Sequence, residues 1–165
     1  MDYKSYLSTF QDAADKLDKN LLRSKSLEVA VGITLESVFL KLYKREWTND
    51  AADPMNAKTR IFFSIWLNEK TLKSGRIYYN IHALKLRHLK GYSIASREFA
   101  ETFRTAFKTY QDHWNNVSVQ FGPLTLMEGW EELNKDDMET IVTKLASNFL
   151  QMDHLIDKTL ETYKE

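Results

Sequence analysis

The segment of residues 76–108 constrains the fold more than any other part of the chain. Its first part, Arg-Ile-Tyr-Tyr-Asn-Ile-His-Ala-Leu, places apolar side chains at every second position, as a strand does. Its second part, from Ser96 onward, repeats apolar residues at intervals of three and four, which is typical of an amphipathic helix. A strand and a helix in such close succession predict a domain that combines a sheet with helices.

The composition fits one folded domain. The chain has 165 residues, of which 43% are hydrophobic and 28% charged, and a chain of this length can bury roughly 70% of its unfolded surface. Five Gly and two Pro are spread along it, and no Gly/Ser-rich or Pro-rich tract could serve as a linker. We therefore expect a single domain over residues 1–165.

Cysteine usage, histidine spacing and hydropathy bound the function classes. The chain has no cysteine, which excludes disulfides, thiolate zinc sites and cysteine nucleophiles. Its four histidines are not spaced like metal ligands, and no apolar run approaches the ~20 residues that span a bilayer. We expect a soluble cytoplasmic protein that uses no metal or other cofactor and does not bind membranes.

Charge is distributed unevenly along a chain whose net charge is zero. Residues 76–108 contain seven Lys or Arg and two acids, whereas residues 128–165 contain ten acids and four Lys. One interpretation is that the two segments pack side by side and neutralise each other. The other is that the basic segment forms part of a site for an anion.

Three helices are predicted from apolar residues at helical spacing. An N-terminal helix covers about residues 2–19, and a central helix extends from Ser96 to about residue 114. A long C-terminal helix of about seven turns follows a capping pair at Asp136 and Glu139 and continues to Tyr163. That length exceeds the width of a small sheet at ~4.8 Å per strand, so we expect a homodimer through the C-terminal helix.

Strands are predicted where apolar and polar residues alternate. Three consecutive strands, at residues 36–47, 58–68 and 76–88, form a meander. A fourth strand is predicted at residues 117–121, and a continuation through Leu124 and Leu126 after the Gly-Pro at 122–123 is left open. Residues 26–35 fit either a strand or a helix.

Two local features qualify this strand assignment. The apolar residues of the third strand change from odd-numbered positions to Leu84 and Leu86, which predicts a β-bulge near Ala83 and Leu84. The acidic stretch around Trp130 is interpreted as a loop in which the indole either packs on the core, the favoured interpretation, or contacts a partner.

Together these elements predict an α+β domain. A small, mostly antiparallel sheet of four to five strands would carry an N-terminal helix, a central helix and a long C-terminal helix packed on it. The order helix, three strands, helix, strand resembles the core of the PD-(D/E)xK nuclease fold. That resemblance implies a divalent metal held by an acid near the end of the second strand and by a Glu-x-Lys on the third. Here the third-strand tripeptides, His-Ala-Leu at 82–84 and Leu-Lys-Leu at 84–86, contain no carboxylate, so an inactive relative of that fold is the reading left open.

The polar side of the three-strand meander is rich in rings and cations. Six aromatic and five basic side chains would share it: Phe39, Lys41, Tyr43, Arg45, Trp47, Arg60, Phe62, Trp66, Tyr78, Lys85 and Arg87. Aromatic rings stack on nucleobases while Arg and Lys contact phosphates, so the pattern is typical of nucleotide or single-stranded nucleic acid binding. The alternative is that a helix covers these rings.

Seven residues form the candidate site for an anion or a partner: Arg60, Trp66, Tyr78, His82, Lys85, Arg87 and Arg97. His82 lies centrally among polar neighbours and is the best placed histidine for proton transfer, although no acid accompanies it. Lys85 and Arg87 share this side of the sheet if the bulge is present, and Arg97 lies in the first turn of the central helix, whose backbone amides can bind an anion.

The sequence therefore predicts a non-enzymatic binding or interaction module that uses an aromatic and basic sheet face. Its partner would be a protein or an anionic ligand, with nucleic acid as a further possibility. The alternative is an enzyme, or a degenerate enzyme, that acts on a phosphate-containing substrate. In that alternative Lys85, Arg87 and Arg97 hold the anion, and His82 acts as acid or base.

Overall fold

The computed structural model describes residues 1–165 and contains one five-stranded antiparallel sheet with helices on one side of it. The strands are β1 (Glu28–Thr34), β2 (Ser37–Tyr43), β3 (Arg60–Leu67), β4 (Arg76–Leu84) and β5 (Thr125–Glu132). The helices are α1 (Tyr3–Asp15), α2 (Lys19–Ser24), α3 (Glu69–Lys73), α4 (Ser96–Phe107), α5 (Met138–Leu150) and α6 (His154–Thr162). The predicted α+β class, with its N-terminal, central and C-terminal helices, is confirmed.

The sheet is a meander in which each strand pairs with the next along the chain. One of its faces is the apolar set that alternation predicts, and every member is fully buried: Val38, Leu40, Leu42, Ile61, Phe63, Ile65, Leu67, Ile77, Tyr79, Ile81 and Ala83. Because side chains of a strand alternate between the two faces, the register of β2, β3 and β4 places these residues side by side.

All the longer helices pack on this apolar face. Helix α1 buries Phe10, and α5 stacks Phe149 on Phe63 of β3 with ring centroids 4.5 Å apart. Trp114, which follows α4, packs against Tyr79 at 4.8 Å. Helix α4 contacts β5 and α6 on the same side of the sheet. The opposite face, defined below as the open face, is left without a long helix.

Residues 26–35, which fit either a strand or a helix in the sequence, form the edge strand β1. A two-residue turn, Leu35 and Glu36, connects β1 to β2, and both turn residues are left-handed, with φ of 47° and 63°. This is the conformation of a type I′ hairpin, although Asn and Gly are the usual residues there. The Tyr3 hydroxyl of α1 donates a hydrogen bond to the Glu36 carbonyl at 3.0 Å and holds the turn beside the start of α1.

The C-terminal segment is helical over the predicted region, and a turn at residues 151–153 divides it into α5 and α6. Asp153 in this turn is buried and accepts a hydrogen bond from Lys25 Nζ at 2.9 Å. The turn directs α6 onto α4, which buries Leu155, Ile156 and Leu160. The apolar stripe that suggests a dimer through this helix is therefore covered within the chain, and a dimer through it stays a prediction.

The bulge predicted near Ala83 and Leu84 is wrong. Strand β4 remains regular against β3 as far as Leu84, and Lys85 then adopts a left-handed conformation with φ of 52°. A 3-10 turn at Leu86–His88 follows and brings Leu86 into the core, which explains the change of parity without a bulge. The irregularity in the sheet lies instead in β5, where Leu126 is the extra residue opposite the Ile81–His82 step.

The main part of the predicted fourth strand is also misplaced, and only its continuation at Leu126 lies in an observed strand. Residues 117–121 form only one isolated bridge, between Ser118 and Glu128, and the acidic stretch that we interpret as a loop is the strand β5. Arg104 of α4 holds the chain that leads into β5, because its guanidinium donates to four carbonyl oxygens, those of Phe121, Gly122, Thr125 and Leu126. These side-chain hydrogen bonds hold the segment before β5 in place, where residues 117–121 form no continuous strand pairing.

The two charged segments do pack side by side, since β4 pairs with β5 and α4 contacts α6, but they form no ion pair with each other. Acids of the C-terminal segment pair with lysines near the other end of the chain, Glu139 with Lys16, Asp153 with Lys25 at 2.9 Å and Asp157 with Lys44 at 2.6 Å. No ion pair involves the Lys and Arg residues of 76–108. None of the helices has the length and apolar character needed to cross a bilayer.

Candidate binding cleft on the open face

The open face consists of the side chains of the five strands that point away from the helices. Alternation along β2, β3 and β4 brings Phe39, Lys41, Tyr43, Arg60, Phe62, Ser64, Trp66, Tyr78, Asn80 and His82 to it. Their register arranges all of them except Arg60 in three rows across the sheet, a polar row between two aromatic rows. The hairpin turn at Leu35 closes one end of this face, and Arg60 donates to the Ala57 carbonyl at the other end.

A cleft of about 240 Å³ lies over the middle of the open face. Its lining residues are Thr34, Leu35, Ser37, Phe39, Lys41, Ser64, Trp66, Asn80 and His82. The cleft is thus built almost entirely by three consecutive strands and the turn at Leu35, which are rigid elements that hold their side chains in fixed positions.

The polar row forms the floor of the cleft. Lys41 pairs with Ser64 across β2 and β3, Ser64 pairs with Asn80 across β3 and β4, and Asn80 pairs with Glu128 across β4 and β5. Asn80 Nδ2 donates to Glu128 Oε1 at 3.3 Å. Ser64 Oγ and Asn80 Oδ1 are both buried and have no hydrogen-bond partner in the protein. Buried polar atoms are nearly always paired in folded proteins, so two adjacent exceptions mark this floor as a place that needs explanation.

Aromatic rows flank the polar row on both sides. On the side of the hairpin turn, Trp66 and Tyr78 stack with centroids 5.5 Å apart. On the other side, the centroid of the Phe62 ring lies 4.8 Å from that of Tyr43 and 5.5 Å from that of His82. Phe62 is fully buried although no long helix covers it. Lys41 and Arg60 also lie over the Phe62 ring, so rings and cations together surround it. Trp66 and Tyr78 remain half-buried and able to contact a ligand.

Lys41 is a cation without an acid. Its Nζ lies 4.7 Å from the centroid of the Phe39 ring and 5.5 Å from that of Phe62, and it takes part in no ion pair. Burial and, to a smaller extent, the positive charge of Arg60 together lower the pKa of Lys41 from 10.5 to about 8. At neutral pH the cleft therefore contains an ammonium group whose charge is compensated only by ring faces.

His82 is held neutral beside Lys41. Burial and, to a smaller extent, the positive charges of Lys41 and Arg60 together lower the pKa of His82 to about 3. Arg60 Nε donates to His82 Nε2 at 3.3 Å, which makes Nε2 the acceptor and leaves the imidazole proton on Nδ1. His82 thus supplies one N–H donor to its surroundings and no positive charge.

We expect the low pKa of His82 to appear as a pH dependence of stability. Below pH 6.5 the unfolded chain binds a proton at His82 that the folded protein does not bind, so the free energy of unfolding should fall by up to about 1.4 kcal/mol per pH unit from this group. His82→Gln, which keeps an acceptor for Arg60, should remove this contribution. Urea unfolding between pH 7.5 and pH 4 measures it, with His113→Gln at an exposed histidine as the control. Parallel losses of stability in wild type and His82→Gln would contradict the expectation.

The structure brings together four of the seven predicted site residues. Arg60, Trp66, Tyr78 and His82 lie on the open face, as strand alternation predicts. Of these four, Trp66 and His82 line the cleft itself, and none of the remaining three predicted residues lines it.

Two of these three residues are displaced by the missing bulge. Lys85 and Arg87 belong to the turn that ends β4 rather than to the strand, so their assignment to the same face as Tyr78 is wrong. Arg97 is exposed on α4, which packs on the opposite side of the sheet.

The sequence does not reveal that the polar row forms the floor of the candidate cleft. Alternation places Lys41, Ser64 and Asn80 on the correct face, but a single Lys, Ser or Asn in a strand carries no motif. Glu128 was missed because residues 125–132 are rich in acids and contain a glycine, both of which are unfavourable in strands.

Another surface groove, of about 430 Å³, lies on the other side of the hairpin turn and is lined by Tyr3, Leu35, Glu36, Asn68, Glu69, Lys70 and Lys73. Its charged side chains are exposed, and it contains no buried unpaired polar atom. No group of three or more His, Asp or Glu residues could hold a metal ion. The cleft on the open face is therefore the best candidate site.

Comparison with known proteins adds no further information about this site. No protein-family model, no curated protein and no solved structure matches the chain.

Proposed function

We propose that the chain is a binding protein whose open face receives a small anion that carries a flat ring. The observation that carries this proposal is the floor of the cleft, where Ser64 Oγ and Asn80 Oδ1 are buried without partners beside the unpaired ammonium of Lys41. A ligand with an acidic group and a hydrogen-bond donor would satisfy all three.

The energetic argument concerns the cost of these unpaired atoms. A buried polar atom without a partner costs about 1–3 kcal/mol, and two of them lie next to each other here. Lys41 adds the cost of a partly buried charge without a counter-charge. Each cost falls when a ligand supplies the missing partner. The unpaired polar atoms and the charge of Lys41 therefore favour ligand binding, and the larger the cost in the free protein, the more they favour it.

The rings and the size of the cleft indicate the form of the ligand. Phe39 and Trp66 line the cleft, and Tyr78 extends the ring surface next to Trp66. The volume of about 240 Å³ lies below the roughly 300–1,000 Å³ of drug-sized pockets, which suits one flat ring system with a short substituent. A mononucleotide combines such a ring with an anion.

A long nucleic acid is a less suitable ligand for this face. Glu128 and Glu132 of β5 lie on the same face as Asn80 and Arg76, and carboxylates repel a continuous phosphate backbone. We therefore place a single small anion above an oligonucleotide, and a protein partner would have to insert an acidic or aromatic side chain into the same cleft.

The alternative of an enzyme acting on a phosphate-containing substrate is supported by one observation. Lys41, with a pKa of about 8, can exchange a proton near neutral pH, and its cross-strand neighbour Ser64 has a free hydroxyl. His82 is unsuited to that role because its pKa of about 3 leaves it without a proton to donate as imidazolium. Release of inorganic phosphate during the experiment below would favour the enzyme over the binding protein.

The proposal is tested by calorimetric titration at low salt with three probes, adenosine 5′-monophosphate, adenosine and inorganic phosphate. We expect the nucleotide to bind and the two fragments to bind at least about tenfold more weakly, since each lacks one half of the recognised chemistry. Raising the pH from 7 to 9 should weaken nucleotide binding, because Lys41 loses its charge over this range.

Substitutions of single residues test whether the nucleotide binds in the cleft. Lys41→Met and Ser64→Ala should each weaken nucleotide binding, and Ser64→Ala should leave the free energy of unfolding unchanged or raise it, because an unpaired buried oxygen is removed. Arg97→Met, at an exposed cation on the other side of the sheet, is the matched control and should bind as wild type does. If no probe binds at millimolar concentration, or if Arg97→Met weakens binding as much as Lys41→Met, the proposal is wrong.

A further inference from the structure

Strand β1 is a free edge of the sheet. It pairs with β2 on one side over seven uninterrupted residue pairs and with no strand on the other. In an antiparallel ladder every second residue points its backbone N–H and C=O away from the neighbouring strand. None of the residues of β1 makes a backbone hydrogen bond outside the β1–β2 ladder, so one row of these groups has no partner in the chain.

This edge lacks the features that usually prevent pairing with another chain. Proteins protect exposed edges with charged side chains, proline, bulges or a covering loop. The stretch from Val29 to Thr34 contains no charge and no proline, and its register against β2 has no bulge. Ile33 near its end is 46% exposed. An edge of this kind is suited to receive another strand.

We propose that the occupant is the β1 strand of a second copy of this chain, paired antiparallel about a two-fold axis at Val31. In this register Val29 lies opposite Ile33 of the second copy, and Val31 lies opposite its own copy, all on the apolar face. The two edges are therefore complementary to themselves, as a two-fold interface requires.

The same register is also compatible on the open face. Ala30 lies opposite Gly32 of the second copy, and Glu28 lies opposite Thr34, so small residues meet and no like charges face each other. Moving the axis by one residue to Ala30 would place Glu28 opposite Gly32 and leave Ile33 and Thr34 beyond the partner strand. Val31 is the centre of β1 and gives the longest overlap.

The turn between β1 and β2 supports this arrangement independently. Leu35 is 94% exposed and, together with Glu36, is held in a left-handed conformation that is unfavourable for both residue types. In the dimer this turn would lie beside residues 26–28 of the second copy. A groove of about 410 Å³ is present there, and its lining includes Arg23, Ser26 and Leu27.

Charge at the turn and the groove is complementary. Glu36 at the turn and Arg23 at the groove are both exposed, and neither takes part in an ion pair within the chain. In the dimer Glu36 would lie opposite Ser26, three residues from Arg23 of the second copy. Two symmetry-related pairs of this kind would join the ends of the interface.

Sedimentation velocity of the full chain over a concentration series tests the proposal. We expect a reversible dimer of twice the 19.4 kDa monomer mass. Ile33→Lys should weaken it by at least about tenfold, because the ammonium would lie beside Val29 of the second copy, and an exposed position can accept the change without unfolding. Leu124→Lys, at an exposed apolar residue away from the edge, is the control and should dimerise as wild type does.

A charge exchange gives a second readout that does not depend on the edge substitution. Arg23→Glu and Glu36→Arg should each weaken the dimer, and the double variant should restore it. Amide hydrogen exchange of the outward backbone N–H groups of β1 should slow as the concentration rises through the dimerisation range. A wild-type protein that remains monomeric at several hundred micromolar overturns the proposal, and so does a dimer that Ile33→Lys and both charge reversals leave unchanged.

Discussion

Phe149→Ala is expected to lower the free energy of unfolding by about 3–5 kcal/mol, the largest effect we anticipate for any single side chain. Phe149 is fully buried on α5 and stacks on Phe63 of β3, and it also meets Trp47 edge to face with centroids 6.4 Å apart. Its ring connects a helix from the C-terminal segment to the middle of the sheet. Removing it would leave a cavity between rigid elements that cannot close around it.

Urea unfolding followed by tryptophan fluorescence measures this effect. Phe121→Ala, at a ring that is 39% exposed, should cost less than about 1 kcal/mol and serves as the control for loss of an aromatic residue. Phe149→Leu should fall between the two, since it keeps most of the apolar volume. A loss below 1 kcal/mol in Phe149→Ala would mean that α5 does not pack on β3 as described.

Gly129→Ala is expected to destabilise the protein by about 2–3 kcal/mol, although Gly to Ala in a strand ordinarily stabilises it by about 0.5–1 kcal/mol. The ring of Tyr79 lies across Gly129 on the neighbouring strand, and its hydroxyl donates to the Asn115 carbonyl. A methyl group at residue 129 would overlap the end of the Tyr79 ring and lie 2.9 Å from the Asn116 carbonyl oxygen. The ring cannot turn aside without losing its hydrogen bond.

Gly122→Ala provides the matched control, because a methyl group there would meet nothing within 4 Å. It should leave the free energy of unfolding within about 0.5 kcal/mol of wild type. The pair can be compared by thermal and urea unfolding under the same conditions. Equal stabilities of Gly129→Ala and Gly122→Ala would show that Tyr79 has room to move, and would contradict the packing of β4 on β5 described above.

The pattern of apolar residues predicts the first three strands of the meander and their inner face well. Residues such as Leu40, Phe63 and Ile81 alternate strictly because the sheet is covered by helices on one side only, so each strand has a buried and a partly exposed face. The same one-sided cover makes α1 and α5 amphipathic and easy to recognise. Local pattern and tertiary structure agree in these elements.

Strand β5 could not be recognised from the sequence because the neighbouring strand β4 supplies the apolar side chain at one of its inward positions. Gly129 has no side chain of its own to bury, and the ring of Tyr79 fills its position on the apolar face. At the next inward position, Glu131 is bonded by Asn115 Nδ2 at 3.1 Å and Lys144 Nζ at 3.2 Å, which a sequence pattern cannot reveal. The strand is therefore defined by partners that are distant in the chain.

The sequence predicts which side chains share the sheet face of the candidate site, but it does not predict which of them lack a partner. Alternation is sufficient to place Trp66, Tyr78 and His82 together, since it depends only on the period of a strand. The unpaired state of Ser64 and Asn80, and the missing acid beside Lys41, depend on which side chains fail to meet them. Which side chains lack a partner can therefore be read only from the three-dimensional structure.

The packing of α5 on Phe63 has a consequence for synthesis of the protein. All five strands precede α5 in the chain and pair with sequence neighbours, so the meander can assemble while the chain is still growing. The helix that covers its centre, α5, leaves the ribosome only after all five strands. Until then the ring of Phe63 and its apolar neighbours are exposed on the nascent chain, next to the unpaired edge of β1. The order of elements along the chain therefore sets an interval during translation in which aggregation competes with folding.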